Sequence, residues 1–177
     1  MKKITSILSI MALTAVFSTG ALAQAPASAT SANTTTTIVA PIAISTTTPL
    51  NFGSFATLST GGTLALSPLG VRTATGGVKL TAATGSPTAA AFAVSGEGSY
   101  AYTIALPTTT LTLTTAVTGA GTKTMVVGTF ESSIGTAGTL TGGSQNFTVG
   151  ALLTVGSAQA VGTYINATGF NVIVNYN

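Results

Sequence analysis

Apolar residues alternate with small or hydroxylated residues along much of this chain. Leu64 and Leu66 form one such pair, and Phe92 and Val94 form another. A repeat of two places successive side chains on opposite faces, which predicts β-strands with one buried and one exposed face. No segment combines apolar residues at helical spacing with end caps, so we expect an all-β chain.

The predicted strands are short and recur between clusters of Gly, Ser, Pro and Thr, as is typical of all-β domains. Three glycine pairs, Gly61-Gly62, Gly76-Gly77 and Gly142-Gly143, indicate tight turns, because glycine readily adopts a positive φ. After a first strand at residues 37–44, strands are predicted at residues 50–55, 63–67, 77–81, 90–95, 100–106, 111–115, 124–130, 145–155 and 170–176.

The first predicted strand, residues 37–44, is preceded by a segment of different character. Residues 24–36 are small, polar and uncharged, which predicts a flexible lead. Pro41 has no backbone N–H, so the strand should be an edge, be bulged, or be paired on one side only at that point. On one face of the predicted strand lie Ile38, Ala40, Ile42 and Ile44.

The last predicted strand carries an apolar stripe that reaches the penultimate residue. A chain terminus usually frays unless it is tied into a sheet, so the stripe can be explained as a core strand. It can also be the surface that a periplasmic assembly partner recognises by strand addition. The stripe consists of Phe170, Val172, Val174 and Tyr176.

The N-terminal 23 residues have the features of a signal peptide. Lys2 and Lys3 precede an apolar run over residues 4–17, and Ala21 and Ala23 supply the small residues that a signal peptidase accepts. We therefore expect export, cleavage before Gln24, and a mature protein in the periplasm, at the cell surface or outside the cell. No second long apolar stretch follows, so we expect no transmembrane segment in the mature chain.

Composition argues against an enzyme. The chain has no His, Cys, Trp or Asp, and its only acidic residues are Glu97 and Glu131. Acid-base catalysis, nucleophilic catalysis and metal binding draw mostly on such groups, placed close together. We expect no catalytic residues, no metal and no cofactor. About a fifth of the residues are threonine, which suits half-buried strands.

Charge and cysteine content exclude further classes. The chain has a net charge of +3, and loss of Lys2 and Lys3 would reduce it to +1. Three scattered cations form no basic patch, so we expect no nucleic-acid partner. Without cysteine the domain has no disulfide bonds, and its stability must come from the core and the strand pairing. The residues that we expect in this core are Phe52, Phe92, Tyr102, Ile104, Val127, Phe147, Leu153 and Val172.

Several short motifs together resemble a known group of proteins. They are Leu50-Asn51-Phe52-Gly53, Ser95-Gly96-Glu97, Tyr102-Thr103-Ile104, residues 150–156 (GALLTVG), Gly162-Thr163-Tyr164 and residues 172–176 (VIVNY). Their order and spacing over residues 34–177 resemble a widespread family of secreted bacterial domains of unknown function. That family is similar to the spore coat protein U and archaic chaperone-usher pilin group.

This resemblance implies an immunoglobulin-like β-sandwich. In the pilin relatives one strand is missing and is supplied first by a chaperone and then by the N-terminal extension of the next subunit. The resemblance thus implies a sandwich completed by a donor strand, with two candidate assembly surfaces. The donor candidates are Ile38, Ala40, Ile42 and Ile44. The candidates for a C-terminal strand recognised by a chaperone are Phe170, Val172, Val174 and Tyr176.

We therefore expect a structural subunit of a cell-surface fibre or coat, with copies of itself and a periplasmic chaperone and usher as partners. The alternative is a self-complete, monomeric adhesin that binds a surface or a carbohydrate. Tyr100 and Tyr102 could stack on a sugar ring, although core packing is the expected role of Tyr102. A flat hydroxyl array at Thr108-Thr109-Thr110, Thr112, Thr114 and Thr115 could also bind ice or a sugar, but an ordinary threonine-rich strand face is the favoured explanation.

Overall fold

A computed structural model describes residues 27–177 of the chain. The predicted signal peptide and its cleavage site before Gln24 lie outside these residues. The pattern of contacts divides the chain after Thr37. On the N-terminal side, the described residues 27–37 are exposed and form no strand. No helix within residues 27–177 is long and apolar enough to span a membrane.

Residues 38–177 contain all the strands that the structure describes, so the prediction of an all-β chain is confirmed. A single turn of 3-10 helix, Thr141–Gly143, precedes the ninth strand. The ten strands are β1 (Ala43–Thr48), β2 (Phe55–Leu66), β3 (Arg72–Leu80), β4 (Ala90–Ser95), β5 (Ala101–Ala105), β6 (Leu111–Thr114), β7 (Thr124–Ser132), β8 (Ala137–Thr139), β9 (Ser144–Val155) and β10 (Ile173–Tyr176).

Strand β9 organises the larger, seven-stranded antiparallel sheet. Val149 of β9 pairs with Ala90 of β4 and with Ser132 of β7, so these two strands lie on opposite edges of β9. Farther along, Thr154 pairs with β2 and with β7. Strands β4 and β2 therefore follow one another along one edge of β9, opposite β7. Strands β1, β3 and β6 extend the sheet by pairing with β4, β2 and β7.

The smaller sheet has the antiparallel order β10-β5-β8. It packs on the β1-β4-β9 part of the larger sheet, so the domain is a β-sandwich. An aromatic stack between Phe92 and Phe147, with centroids 5.5 Å apart, lies in the core between the two sheets. We call this core the sandwich core; its buried residues are Ala90, Phe92, Val94, Tyr102, Ile104, Leu140, Phe147, Val149 and Val174.

The predicted core residues are buried with one exception. Phe52, Phe92, Tyr102, Ile104, Val127, Phe147 and Leu153 are each at most 8% exposed. Val172 is only half-buried. It lies just before β10, which begins at Ile173, so Val172 is not part of the strand pairing that orders the following residues.

Strand β1 begins later than predicted. Pro41 and Ile42 precede it, and the strand pairs along one edge, with β4. The missing N–H of Pro41 explains why regular pairing starts only at Ala43. Residues 43–48 therefore belong to the sheet of their own domain.

Two of the three glycine pairs predicted as turns lie within strands instead. Gly61-Gly62 belongs to β2 and Gly76-Gly77 belongs to β3, with Gly62 opposite Gly76. A side chain at Gly62 would collide with the backbone of β3, so these glycines permit close approach of the two strands. Gly142-Gly143 does form a tight turn, with φ of 65° and 83°.

Candidate functional site

A second apolar cluster covers one face of the five strands β6-β7-β9-β2-β3. Strand register places one row of inward side chains across all five strands: Leu111, Val127, Leu153, Leu64 and Ala74. The small sheet β10-β5-β8 packs elsewhere, on the sandwich core. No described strand covers this second face; the chain lies over it as loops.

These loops leave an open groove with a volume of about 1050 Å³. Its floor is the apolar face of the sheet, formed by Leu111, Leu113, Met125, Val127 and Leu153. One wall consists of residues 49–57, and the other consists of residues 159–170. Within the described chain no charged side chain lines the groove, so it is suited to an uncharged, apolar occupant.

The first wall is fixed by hydrogen bonds from a single arginine. Nη1 of Arg72, on β3, donates to the carbonyl oxygens of Phe52 and Ser54 at 3.2 and 2.8 Å. Gly53 between them has a φ of 72°, and its N–H donates to the side-chain oxygen of Asn51 at 2.8 Å. A left-handed residue is needed here, which explains the glycine in the Leu50-Asn51-Phe52-Gly53 motif.

The second wall is tied to the edge strand β6. The backbone groups of Thr114 and Ile165 exchange two hydrogen bonds of 2.9 Å, and the side chain of Asn166 donates to the carbonyl of Thr112 at 2.9 Å. Ile165 and Val161 nevertheless leave their side chains in solvent, and Val161 is 95% exposed. The mouth of the groove therefore presents apolar side chains that have no cover in the described structure.

The N-terminal stripe predicted as a donor strand does not line this groove. Ile44 lies in β1 opposite Val94 and is half-buried, and Ile42 packs against the sandwich core. Ala40 is exposed, and Ile38 is 94% exposed. The stripe thus runs from full exposure at Ile38 into its own domain at Ile44.

The C-terminal stripe spans the border between the groove and the sandwich core. Phe170 lines the groove, and its ring centroid lies 4.6 Å from that of Phe130 and 6.0 Å from that of Phe92. Val174 is buried in the sandwich core, and Val172 and Tyr176 pack against it.

The two predicted stripes meet at one point. The hydroxyl group of Tyr176 donates to the carbonyl oxygen of Ala40 at 2.8 Å and accepts from the backbone N–H of Glu97 at 2.6 Å. The N–H of Ala40 in turn donates to the carboxylate of Glu97 at 3.1 Å. These three hydrogen bonds form a closed ring, which we call the Tyr176 ring. From the sequence, Glu97 is part of a family motif and is expected in a tight turn with a solvated side chain; the structure instead pairs its carboxylate with the Ala40 amide.

The tyrosine pair that could have bound a sugar does not form a common surface. Tyr102 is fully buried, and its hydroxyl donates to the side-chain oxygen of Gln145 at 2.9 Å. Burial raises the pKa of Tyr102 above its ordinary value. Tyr100 is exposed and packs edge-on against the ring of Tyr176. The expected core role of Tyr102 is therefore confirmed.

The hydroxyl array predicted around Thr112 extends beyond β6 to neighbouring strands. Strand register continues it on the outer face of the larger sheet, across all five strands, as a row of Thr112, Val126, Thr154, Thr63 and Thr75. The hydroxyl oxygens of Thr63 and Thr75 lie 2.7 Å apart and hydrogen bond with each other. Two hydroxyl groups of this row are therefore hydrogen bonded to each other.

The residues that line the groove were not identified as a site from the sequence. Leu111 and Leu113 were recognised as a strand face, but nothing in their pattern shows that the face is left without a covering strand. Within residues 27–177 no group of three or more His, Cys, Asp or Glu side chains is placed to hold a metal ion.

The fold and the groove together define an all-β sandwich domain with a second apolar sheet face that is covered by loops instead of a strand. Residues 42–176 match the family described as Domain of unknown function (DUF4402), and the chain belongs to that family. Neither a curated protein nor a solved structure matches the chain significantly.

Proposed function

We propose that this chain is an exported structural subunit of a cell-surface fibre or coat that assembles by β-strand addition. The observation that carries the proposal is the groove over β6-β7-β9-β2-β3, where loops stand in place of a covering strand. A sheet face of this kind is stabilised when an extended segment buries its apolar side chains against it.

The groove suits a strand better than a compact ligand. Its volume of about 1050 Å³ is at the upper end of the roughly 300–1,000 Å³ of typical small-molecule pockets, so volume alone favours neither occupant. Its floor is a row of apolar side chains, whereas its polar side chains, such as Asn51, Gln159 and Asn166, lie in the two walls. An alternating strand would place every second side chain on that floor and leave its other face toward solvent.

The segment that we propose as the donor is the N-terminal stripe of Ile38, Ala40, Ile42 and Ile44. Its alternation serves an internal strand or a donated strand equally, because both bury the same face. Donation requires the segment to leave its own domain, where Ile42 and Ile44 are half-buried. The partner that receives it would be a second copy of this chain.

The C-terminal stripe supports a second contact, with a periplasmic chaperone and usher. Strand β10 is at the edge of the smaller sheet and pairs with β5 on one side. An unpaired edge offers backbone groups to an added strand. The resemblance to the spore coat protein U and chaperone-usher pilin group supports the same partners, and export through the predicted signal peptide would place the protein where they act.

The second candidate function is a self-complete, monomeric adhesin. The observation that favours it is β1, which pairs with β4 of its own domain over Ala43–Thr48 rather than standing free. The exposed threonine row on the outer face would then be the surface available to a ligand.

Size-exclusion chromatography with light scattering, applied to the mature protein, separates these two functions. The subunit function predicts oligomers that grow with concentration and time. The variant Leu113→Asp places a carboxylate on the groove floor and should abolish these oligomers, since burial of an unpaired charge is costly. Its control is Thr112→Asp, on the same strand but the opposite, exposed face, which should assemble like the parent. A sharp monomer peak for the parent at all concentrations would favour the adhesin and contradict the subunit function.

A further inference from the structure

The Tyr176 ring joins three segments that are far apart in sequence. Its members lie before β1, after β4 and at the end of β10. Within the described chain, the hydrogen bonds of residues 38–42 are those of Ala40, and both of them belong to this ring. The ring is therefore the polar anchor of the segment that precedes β1.

The position of the Tyr176 hydroxyl group is enforced by its surroundings. A side chain at Gly96 would collide with this hydroxyl, so glycine at that position makes room for it. On the other side, the ring of Tyr100 packs against that of Tyr176 with centroids 5.6 Å apart and planes at 63°. The backbone pairing of Tyr176 with Tyr102 fixes the base of the side chain. The phenol thus reaches Ala40 from a fixed position.

We propose that the Tyr176 ring is a latch that retains the N-terminal stripe in its own domain and thereby restrains its donation to a second copy. This inference rests on the strand-addition function proposed above. Ile38 is already exposed, so Ala40 is the first residue at which the donor segment is held. Opening the latch would free the backbone around Ala40 and leave the packing of Ile42 and Ile44 on the sandwich core and the pairing of β1 with β4 to be exchanged.

The latch is tested with Tyr176→Phe, which removes one hydroxyl group and with it two of the three hydrogen bonds. Of these two bonds only the one to Ala40 is broken when the segment opens, because Glu97 and Tyr176 both remain in the domain. One hydrogen bond ordinarily changes an equilibrium by roughly two- to tenfold, so we expect the segment to open about two- to tenfold more often. Hydrogen exchange of the Ala40 amide measures this opening directly, and light scattering measures the rate of assembly. We expect the exchange rate of the Ala40 amide and the rate of assembly to rise, with the unfolding midpoint of the domain little changed.

The matched control is Tyr100→Phe, because Tyr100 contacts Tyr176 but its hydroxyl makes no hydrogen bond within residues 27–177. It should exchange and assemble like the parent. If Tyr176→Phe does not fold, Glu97→Ala removes only the bond to the Ala40 amide and should accelerate exchange about two- to tenfold, whereas Glu97→Gln retains an acceptor and should not.

Two results would overturn the latch. One is unchanged exchange at Ala40 in both Tyr176→Phe and Glu97→Ala. The other is faster exchange without faster assembly in a parent that does assemble, because the segment would then be released with no effect on donation. Failure of the proposed function is distinguishable, since the parent itself would then stay monomeric whatever the exchange rate.

Discussion

Replacement of Phe92 by alanine is a stringent test of the sandwich core. Phe92 is 6% exposed, its ring stacks on Phe147 at 5.5 Å and 23°, and it meets Phe170 edge-on at 6.0 Å. The truncation removes both aromatic contacts and leaves a cavity between the two sheets. We expect a loss of about 3–5 kcal/mol in the free energy of unfolding, of which each aromatic pair contributes roughly 0.5–1.5 kcal/mol.

That loss is large in relation to the stability of a whole domain, which is typically about 5–15 kcal/mol. For a domain of this size it corresponds to a fall of roughly 6–20 °C in Tm. Urea unfolding followed by circular dichroism measures the loss in free energy of unfolding, with Leu69→Ala as the control. Leu69 is 85% exposed, so its truncation should change stability by no more than about 0.5 kcal/mol. If Phe92→Ala unfolds within about 1 kcal/mol of the parent, the inward facing of β4 is wrong.

Two further predictions concern the buried tyrosine and export. Tyr102→Phe leaves Gln145 with the Thr139 amide as its remaining partner and should cost about 0.5–1.5 kcal/mol. Burial raises the pKa of Tyr102 in the folded state, so folding favours the neutral phenol. The contribution of this group to stability should be constant below the ordinary tyrosine pKa and should be lost as pH rises through the pKa of the folded state. Alkaline denaturation curves should therefore fall less steeply for Tyr102→Phe than for the parent. N-terminal sequencing of secreted protein should begin at Gln24, and a start several residues away would refute the assigned cleavage site.

Strand alternation predicted those elements whose inward residues are large. Strand β4 has the predicted bounds because Phe92 and Val94 alternate with alanine, and the burial of its inward residues follows the same alternation. Strand β8, Ala137–Thr139, was not predicted, because its three small residues carry no hydrophobic period. Its pairing depends on Tyr102 of β5, opposite Gly138, which is a tertiary contact that the local sequence does not encode.

A β-bulge in β7 illustrates a second limit of sequence patterns. The register with β9 shifts between Gly128 and Glu131, and Thr129 within the bulge has a φ of 50°, which is unusual for a β-branched residue. The shift turns Phe130 inward, where it contacts both the sandwich core and the second apolar cluster, on the face of β6-β7-β9-β2-β3. Strict alternation from Val127 would have placed residue 129 inward instead.

The groove could not be predicted because it is defined by what does not cover a sheet face. The sequence identified Leu111, Leu113 and Val127 as apolar strand residues, and such residues look alike whether their cover is a strand, a loop or another molecule. Likewise, the Tyr176 ring joins residues up to 136 positions apart, and each of its bonds pairs a side chain with a backbone group that leaves no trace in the side-chain pattern.

The central claim, that the groove accepts an extended apolar strand, is tested most directly at Met125. This residue lies on the groove floor, and it is the only methionine after Gln24, so a ¹³C-methyl methionine label gives one signal at the site. A peptide with the sequence of residues 35–46 should shift that signal saturably, and the same peptide with Ile42→Asp should not, because its carboxylate would enter an apolar groove. A Met125 signal that stays unchanged at saturating concentrations of the parent peptide would contradict the account.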